Sequence, residues 1–245
     1  MHPVLIELGP VTIYVYGFFI AAAFFAGMLF TRREAGLQGL DTALLPELGF
    51  QVLLSYLAGA RFLYVLAHPG LFADQPLEAL MLWNGGLMFQ GGAVAAALAA
   101  AACLRGYGQP LRSWADAAAP GLALGLSLAG LACLTAPCIR TPDAAMPWLA
   151  MQTTEQAFEG LSPVHLAQVV TGLTVFVLVQ ELKPLLPGPG RIFGFCLTCA
   201  SLFWFFSNLL DPITALQPAL FHLNQTMAVS STLLGLWLLI GKRRS

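Results

Sequence analysis

The residues best suited to chemistry are polar groups set inside apolar sequence. Arg61 stands in Leu57-Ala-Gly-Ala-Arg61-Phe-Leu-Tyr64, with Tyr64 three residues on and so on the same face of a helix. An ionisable group within a membrane-crossing stretch is a functional candidate by default. Its guanidinium can fork onto a lipid phosphate; the other readings are a side chain reaching out to the interface or bonded to a backbone carbonyl. The second cluster is Trp83-Asn-Gly-Gly-Leu-Met-Phe-Gln-Gly-Gly92, in which Asn84 and Gln90 can each donate and accept beside two glycine pairs. Irregular backbone at membrane depth has to line protein or water, which favours a lined cavity at Asn84, Gln90, Gly91 and Gly92 over plain close packing of small residues. Tyr14 and Tyr16 fit an interfacial aromatic belt; two apart, they face different ways, so at most one, taken as Tyr16, lines a cavity. His165 follows Pro163 at a helix start, where a histidine is either a base or a local hydrogen-bonding residue. Of five cysteines, Cys196 and Cys199 share a helix face and read as apolar packing, while Cys133 and Cys138 lie close together further back.

These residues need long helices to hold them. Of 245 residues, 58% are apolar and only 9% charged, against about 25% charged in soluble domains. Seven long apolar runs, near 11–31, 46–67, 85–104, 116–136, 163–182, 191–210 and 222–241, each approach the ~20 residues that cross a bilayer. Their length favours helices over barrel strands. The expected fold is therefore all-α: one polytopic membrane domain over 1–245, with seven transmembrane helices and an outer loop at 137–162.

Basic residues set the orientation. Arg32, Arg33, Arg105, Arg112, Lys183, Arg191, Lys242, Arg243 and Arg244 all fall on one side if the runs alternate. By the positive-inside rule that side is cytoplasmic, so the N-terminus is expected outside and the C-terminus inside. The first run lacks a basic leader and is long enough to span, so it reads as a retained helix. Nothing is basic enough for nucleic acid. No metal-ligand spacing, phosphate-binding glycine loop or internal repeat is present, and no cofactor is expected.

Several motifs together resemble the bacterial prolipoprotein diacylglyceryl transferases. They are the opening Met1-His-Pro-Val-Leu-Ile-Glu-Leu-Gly-Pro-Val-Thr-Ile-Tyr-Val-Tyr-Gly17, Thr31-Arg-Arg-Glu-Ala-Gly36, Gly59-Ala-Arg61-Phe-Leu-Tyr64, Pro76-Leu-Glu78 with Trp83-Asn-Gly-Gly86, Phe89-x-Gly-Gly92, Asp116-x-x-Ala-Pro120-Gly and Gly190-Arg-Ile-Phe-Gly194. The resemblance implies a location in the bacterial cytoplasmic (inner) membrane. It also implies transfer of a diacylglyceryl group from phosphatidylglycerol to a lipoprotein cysteine. Such a reaction needs a thiolate nucleophile and cations that stabilise a phosphate leaving group.

The charged constellation of that family is mostly replaced. Its F-H-G-G histidine is Gln90, which takes no proton near neutrality. Its G-R-x-G-N-F-x-N-G-E stretch aligns with Ala129-Gly-Leu-Ala-Cys-Leu-Thr-Ala-Pro-Cys138, so that arginine becomes Gly130, the two asparagines Cys133 and Ala136, and glutamate Cys138. Its R-H-P-x-Q-L-Y-E box is Leu161-Ser-Pro-Val-His-Leu-Ala-Gln168, and its R-x-x-x-E-F-F-R pattern becomes Ser201 to Asp211 without Arg or Glu. The expectation is a divergent, non-catalytic or repurposed member. It would bind a phospholipid, expected to be phosphatidylglycerol, through Tyr16, Arg61, Tyr64, Asn84, Gln90, Gly91 and Gly92. A lipoprotein precursor or another membrane protein is the further partner considered. The alternative is an active transferase, either for the parent reaction or for an altered acyl transfer on Cys133 or Cys138 with His165, Glu155 or Glu159 handling the proton.

Overall fold

A computed structural model describes residues 4–8, 11–72, 76–82, 85–135, 163–210 and 218–241. Seven helices among them are long and apolar enough to cross a membrane. They are α1 Val15–Leu37, α2 Leu45–Ala67, α3 Phe89–Gly106, α4 Leu111–Thr135, α5 Pro163–Leu182, α6 Arg191–Leu210 and α7 Pro218–Ile240. Large apolar side chains face outward along them: Leu29 is 67% exposed and Phe25 65%. Water would tolerate no such belt, whereas lipid matches it. The protein is a multi-pass, helical membrane protein.

Ahead of α1 a short antiparallel hairpin joins β1 Val4–Leu8 to β2 Val11–Tyr14, with Glu7 opposite Thr12 and Val4 opposite Tyr14. The first apolar run, expected to span from 11 to 31, had included Val11–Tyr14, which instead form a strand ahead of a helix that starts at Val15. Alternating Val-Leu-Ile and Val-Thr-Ile around Gly9-Pro10 carried the strand signal.

Helix ends differ from the apolar runs where charge is accommodated locally. The first run was expected to stop at 31, but α1 continues to Leu37. Glu34, only 4% exposed, bonds Lys183 at 2.6 Å, which makes a helical turn of charged sequence tolerable. At the third span the helix begins at Phe89, because Gly85 and Gly86 stand at φ 77° and 74°, outside any helix. Pro46 in the first turn of α2 and Pro69 just past its end fix that span near its expected limits.

The chain divides into two compact units, Gly39–Trp114 and Met1–Gln38 with Ala115–Ser245. In the first, α2 packs along α3. In the second, α6 packs on both α5 and α7. The core of this second unit gathers Ala119, Ala123, Val175, Val179 and Cys196, flanked by Phe176, Ile192, Phe193 and Cys199.

Asp116 explains how α6 is seated. Its carboxylate accepts from the backbone N–H of Gly190 at 2.6 Å and of Phe193 at 2.8 Å. A helix N-terminus leaves its first N–H groups unpaired and carries partial positive charge. A carboxylate from α4 answers both. The Asp116 and Gly190–Gly194 motifs, read separately in the sequence, thus form one structural joint.

Candidate functional site

In the Gly39–Trp114 unit, most of the residues singled out in the sequence converge at the end of α2. Arg61 is 6% exposed. Its Nε donates to the carbonyl of Ala79 at 2.9 Å and its Nη2 to that of Glu78 at 2.6 Å. Nη1 donates to Gly86 at 3.2 Å and also to Gly85. Four of the five guanidinium N–H groups are thereby committed to backbone. The Tyr64 and Phe72 rings flank the guanidinium, their centroids 5.7 and 5.3 Å from Cζ, within cation–π range. His68 stacks beside Tyr64 at 4.5 Å between ring centroids.

This arrangement clamps the segment before α3 onto α2. Met88 N donates to Ala60 O at 3.0 Å, adjoining the clamp. Gly86 lies flat on the Tyr64 ring, so that a Cβ there would overlap the ring. One turn into α3, Gly91 meets Gly59 backbone to backbone: a Cβ on Gly59 would lie 2.6 Å from the Gly91 carbonyl oxygen. Gly92 rests on Tyr56, whose ring carbon would be 2.6 Å from an added Cβ. Gln90 is buried in the first turn of α3. Arg61, Tyr64, Gln90, Gly91 and Gly92 therefore occupy one neighbourhood, with Gly91 and Gly92 serving close packing. Asn84 lies outside the described residues. Tyr16 belongs to the other unit, 42% exposed on α1.

The second unit holds the positions where the family's charged stretch was expected. Gly130 is buried where α4 crosses α5. A Cβ on it would stand 2.8 Å from Val169 Cγ2 and 3.2 Å from the His165 carbonyl oxygen. The crossing is also bonded: Ser127 Oγ donates to Val169 O at 3.2 Å, and Gln168 Nε2 to Leu126 O at 3.2 Å. His165 is 7% exposed at the start of α5. Cys133 is half-buried near the end of α4, while Cys138, Glu155, Glu159 and the 137–162 loop lie outside the described residues. Cys196 is buried, with its thiol directed at the Ala119 carbonyl at 3.5 Å, as a small core side chain would be.

Sequence reasoning passed over a polar seam between α6 and α7. Ser201 Oγ donates to Ser231 Oγ at 2.9 Å, and one heptad along, Asn224 Nδ2 donates to Asn208 Oδ1 at 3.2 Å. Gln225 Nε2 donates to the Phe205 carbonyl at 3.3 Å. The signal was present: Ser201 and Asn208, like Asn224 and Ser231, are spaced seven apart in apolar sequence, the spacing of a helix–helix contact line.

The fold defines a multi-pass helical membrane protein. The chain belongs to the prolipoprotein diacylglyceryl transferase family, whose sequence profile matches residues 3–241. A phosphatidylglycerol--prolipoprotein diacylglyceryl transferase from Thermus thermophilus is 31% identical over 212 residues, covering 82% of this chain and 72% of that protein. One of the same name from Trichormus variabilis is 28% identical over 186 residues, 74% of this chain and 66% of its own length. Another, from Parasynechococcus marenigrum, reaches 34% over 126 residues, 51% of this chain and 45% of that protein. The chain thus spans less than half of some relatives it matches.

Proposed function

We propose that this chain is a family member that holds a phospholipid, and a lipoprotein segment alongside it, without transferring the diacylglyceryl group. It does so from the bacterial cytoplasmic (inner) membrane as a single membrane domain, N-terminus outside and C-terminus in the cytoplasm. Phosphatidylglycerol and prolipoprotein are the ligands that the relatives' names supply.

One observation carries this reading. The position aligned with the hallmark arginine is Gly130, packed against Val169 and His165 so closely that not even a Cβ fits without movement. A long cation there would require α4 and α5 to separate. Arg61, the arginine retained within a span, supports the same reading, because four of its five N–H donors already bond backbone carbonyls. Gln90 in place of histidine leaves that position without a proton acceptor. Loss of a single acid–base group costs about 10²- to 10⁴-fold in rate, and loss of several together removes the reaction.

A second reading has a specific observation in its favour. The family match runs through nearly the whole chain, and the Thermus relative carries the transferase name over most of its length. On that reading the chain carries out either the parent diacylglyceryl transfer or an altered acyl transfer on Cys133 or Cys138, with His165, Glu155 or Glu159 handling the proton.

The deciding experiment incubates the purified protein with acyl-labelled phosphatidylglycerol and a peptide carrying a lipoprotein-type cysteine. The expected result is retained lipid and no thioether-linked glyceryl product. Product at a rate comparable with that of an assayed relative, or growth rescue of a transferase-depleted bacterium, overturns the proposal in favour of the second reading.

A further inference from the structure

Two neighbouring spans are out of step. α3 has 18 residues, which at 1.5 Å each give about 27 Å, a little under the ~30 Å of hydrocarbon. The 23 residues of α2 give about 34 Å. Met88, the residue before α3, donates to Ala60 O, seven residues or about 10 Å short of the end of α2. Gly86 lies against the ring of Tyr64, one turn further along α2. The chain over 85–88 thus runs in non-helical conformation beside the last two turns of α2, inside the span Thr42–Ala67.

Irregular backbone at that depth has to find its hydrogen-bond partners within the protein. Arg61, itself six residues inside the end of α2, donates to the carbonyls of Glu78, Ala79, Gly85 and Gly86. The N–H groups of Met81, Gly85 and Met88 bond the carbonyls of Glu78, Leu82 and Ala60. One cation thereby serves four carbonyls that water would serve at a wet surface. The leucines of the same stretches are left outside. Leu77 is 72% exposed and Leu80 77%, with Leu82 and Leu87 exposed as well. Glu78 is the one charged residue in 76–88. This surface continues the apolar belt at Phe62 and Leu66 on α2 and Phe89 on α3.

We propose that the stretches 76–82 and 85–88 are inserted into the membrane, with their leucines packed against acyl chains, and that Arg61 makes the insertion possible by holding their carbonyls. The leaflet is the one at the end of α2, the outer leaflet on the proposed orientation. The occupant of the surface is lipid hydrocarbon, because the surface joins two spans without a break in the apolar belt. The offset between the helices also matches the depth of about 5–10 Å to which interfacial segments sink an apolar face. The inference stands on the fold alone and holds whether the chain keeps a lipid or transfers one.

The test places an environment-sensitive fluorescent amino acid at Leu80 and, for comparison, at Leu98 in the middle of α3. The full chain is reconstituted in nanodiscs of phosphatidylcholine and phosphatidylglycerol. Quenching is read with acyl chains brominated near the glycerol or near their ends, and with iodide in the water. At Leu80 the shallow bromines should quench strongly, the deep ones weakly and iodide hardly at all; at Leu98 the deep bromines should dominate. In Arg61→Ala the Leu80 probe should pass to iodide quenching, because carbonyls freed from the guanidinium draw the segment into water, while the Leu98 probe stays as it was. Strong iodide quenching at Leu80 with Arg61 in place overturns the insertion, and that result needs no Arg61 variant. Protection of Leu80 from both kinds of quencher overturns lipid as the occupant in favour of a protein partner. A Leu80 probe that stays with the bromines in Arg61→Ala, with Leu98 reporting an intact fold, overturns the role given to Arg61.

Discussion

Replacing Arg61 with alanine tests whether its guanidinium builds the protein or binds a ligand. Four hydrogen bonds run from one buried cation to the carbonyls of Glu78, Ala79, Gly85 and Gly86. Bonds to charged groups contribute about 1.5–3 kcal/mol each, which sets about 6 kcal/mol as the low sum. The clamped segment is near the surface, where freed carbonyls regain water, so about half of that, some 3 kcal/mol, should appear as lost local stability. That corresponds to roughly a hundredfold increase in local opening. The assay is hydrogen exchange read at the amides of Gly85 and Met88, which bond Leu82 and Ala60 respectively. Both should lose protection by about that factor in Arg61→Ala. Arg61→Lys should be intermediate, because an ammonium keeps the charge but not the planar fork that meets several carbonyls at once. Unchanged protection in Arg61→Ala, together with a loss of bound phospholipid, would refute the clamp and restore a phosphate-holding role.

Two further outcomes follow from the geometry. Gly91→Ala should lower thermal stability in detergent by about 1–3 kcal/mol, since its Cβ would stand 2.5 Å from Leu63 Cβ and against the Gly59 carbonyl, forcing α2 and α3 apart; a variant as stable as wild type would show that the contact is looser than described. Tyr107 bonds Glu47 at 2.7 Å, and that hydrogen bond first, then the carboxylate's charge, hold its phenol above the ordinary value of about 10. The neutral phenol is the form that donates, so the link is intact below that ordinary value and is lost as pH rises through the raised one. Phenolate absorbance, taken as the difference between wild type and Tyr107→Phe, should show this late titration, and Glu47→Gln should return it toward 10.

The membrane-spanning architecture was readable in the sequence because burial in lipid demands long apolar runs, and three of the runs, 46–67, 163–182 and 191–210, closely match observed helices. The boundaries failed where polar sequence is stabilised by a partner far along the chain. Nothing local indicates that Glu34 finds Lys183, yet that ion pair carries α1 to Leu37. Arg61 was legible as an unusual residue, and a backbone carbonyl was one of the partners considered. Which carbonyls it meets depends on a segment 17 to 25 residues away folding back over α2. The glycine pairs read as a lined cavity; Gly91 and Gly92 instead admit a neighbouring backbone and a ring, because a missing Cβ serves either purpose and the sequence does not say which. The α6–α7 seam was overlooked for a different reason. Serine and asparagine in apolar runs carry no charge to mark them, and their meaning appears only when two heptad spacings are set against each other.

The closed Gly130 crossing and the committed Arg61 together constrain how a phospholipid sits on this chain if the proposed reading holds. A phosphate drawn into an apolar interior needs a cation to offset its lost hydration. Neither position offers one. On the proposed reading the phosphate stays at the polar surface, with the acyl chains along the exposed leucines and phenylalanines. That is the posture a lipid already has in the bilayer, so binding demands no extraction of the headgroup. Transfer demands the opposite, because the glyceryl–phosphate bond has to meet a thiol where the leaving phosphate is stabilised. A site that leaves the headgroup in place is thus compatible with recognition, and for the same electrostatic reason it is poorly suited to transfer.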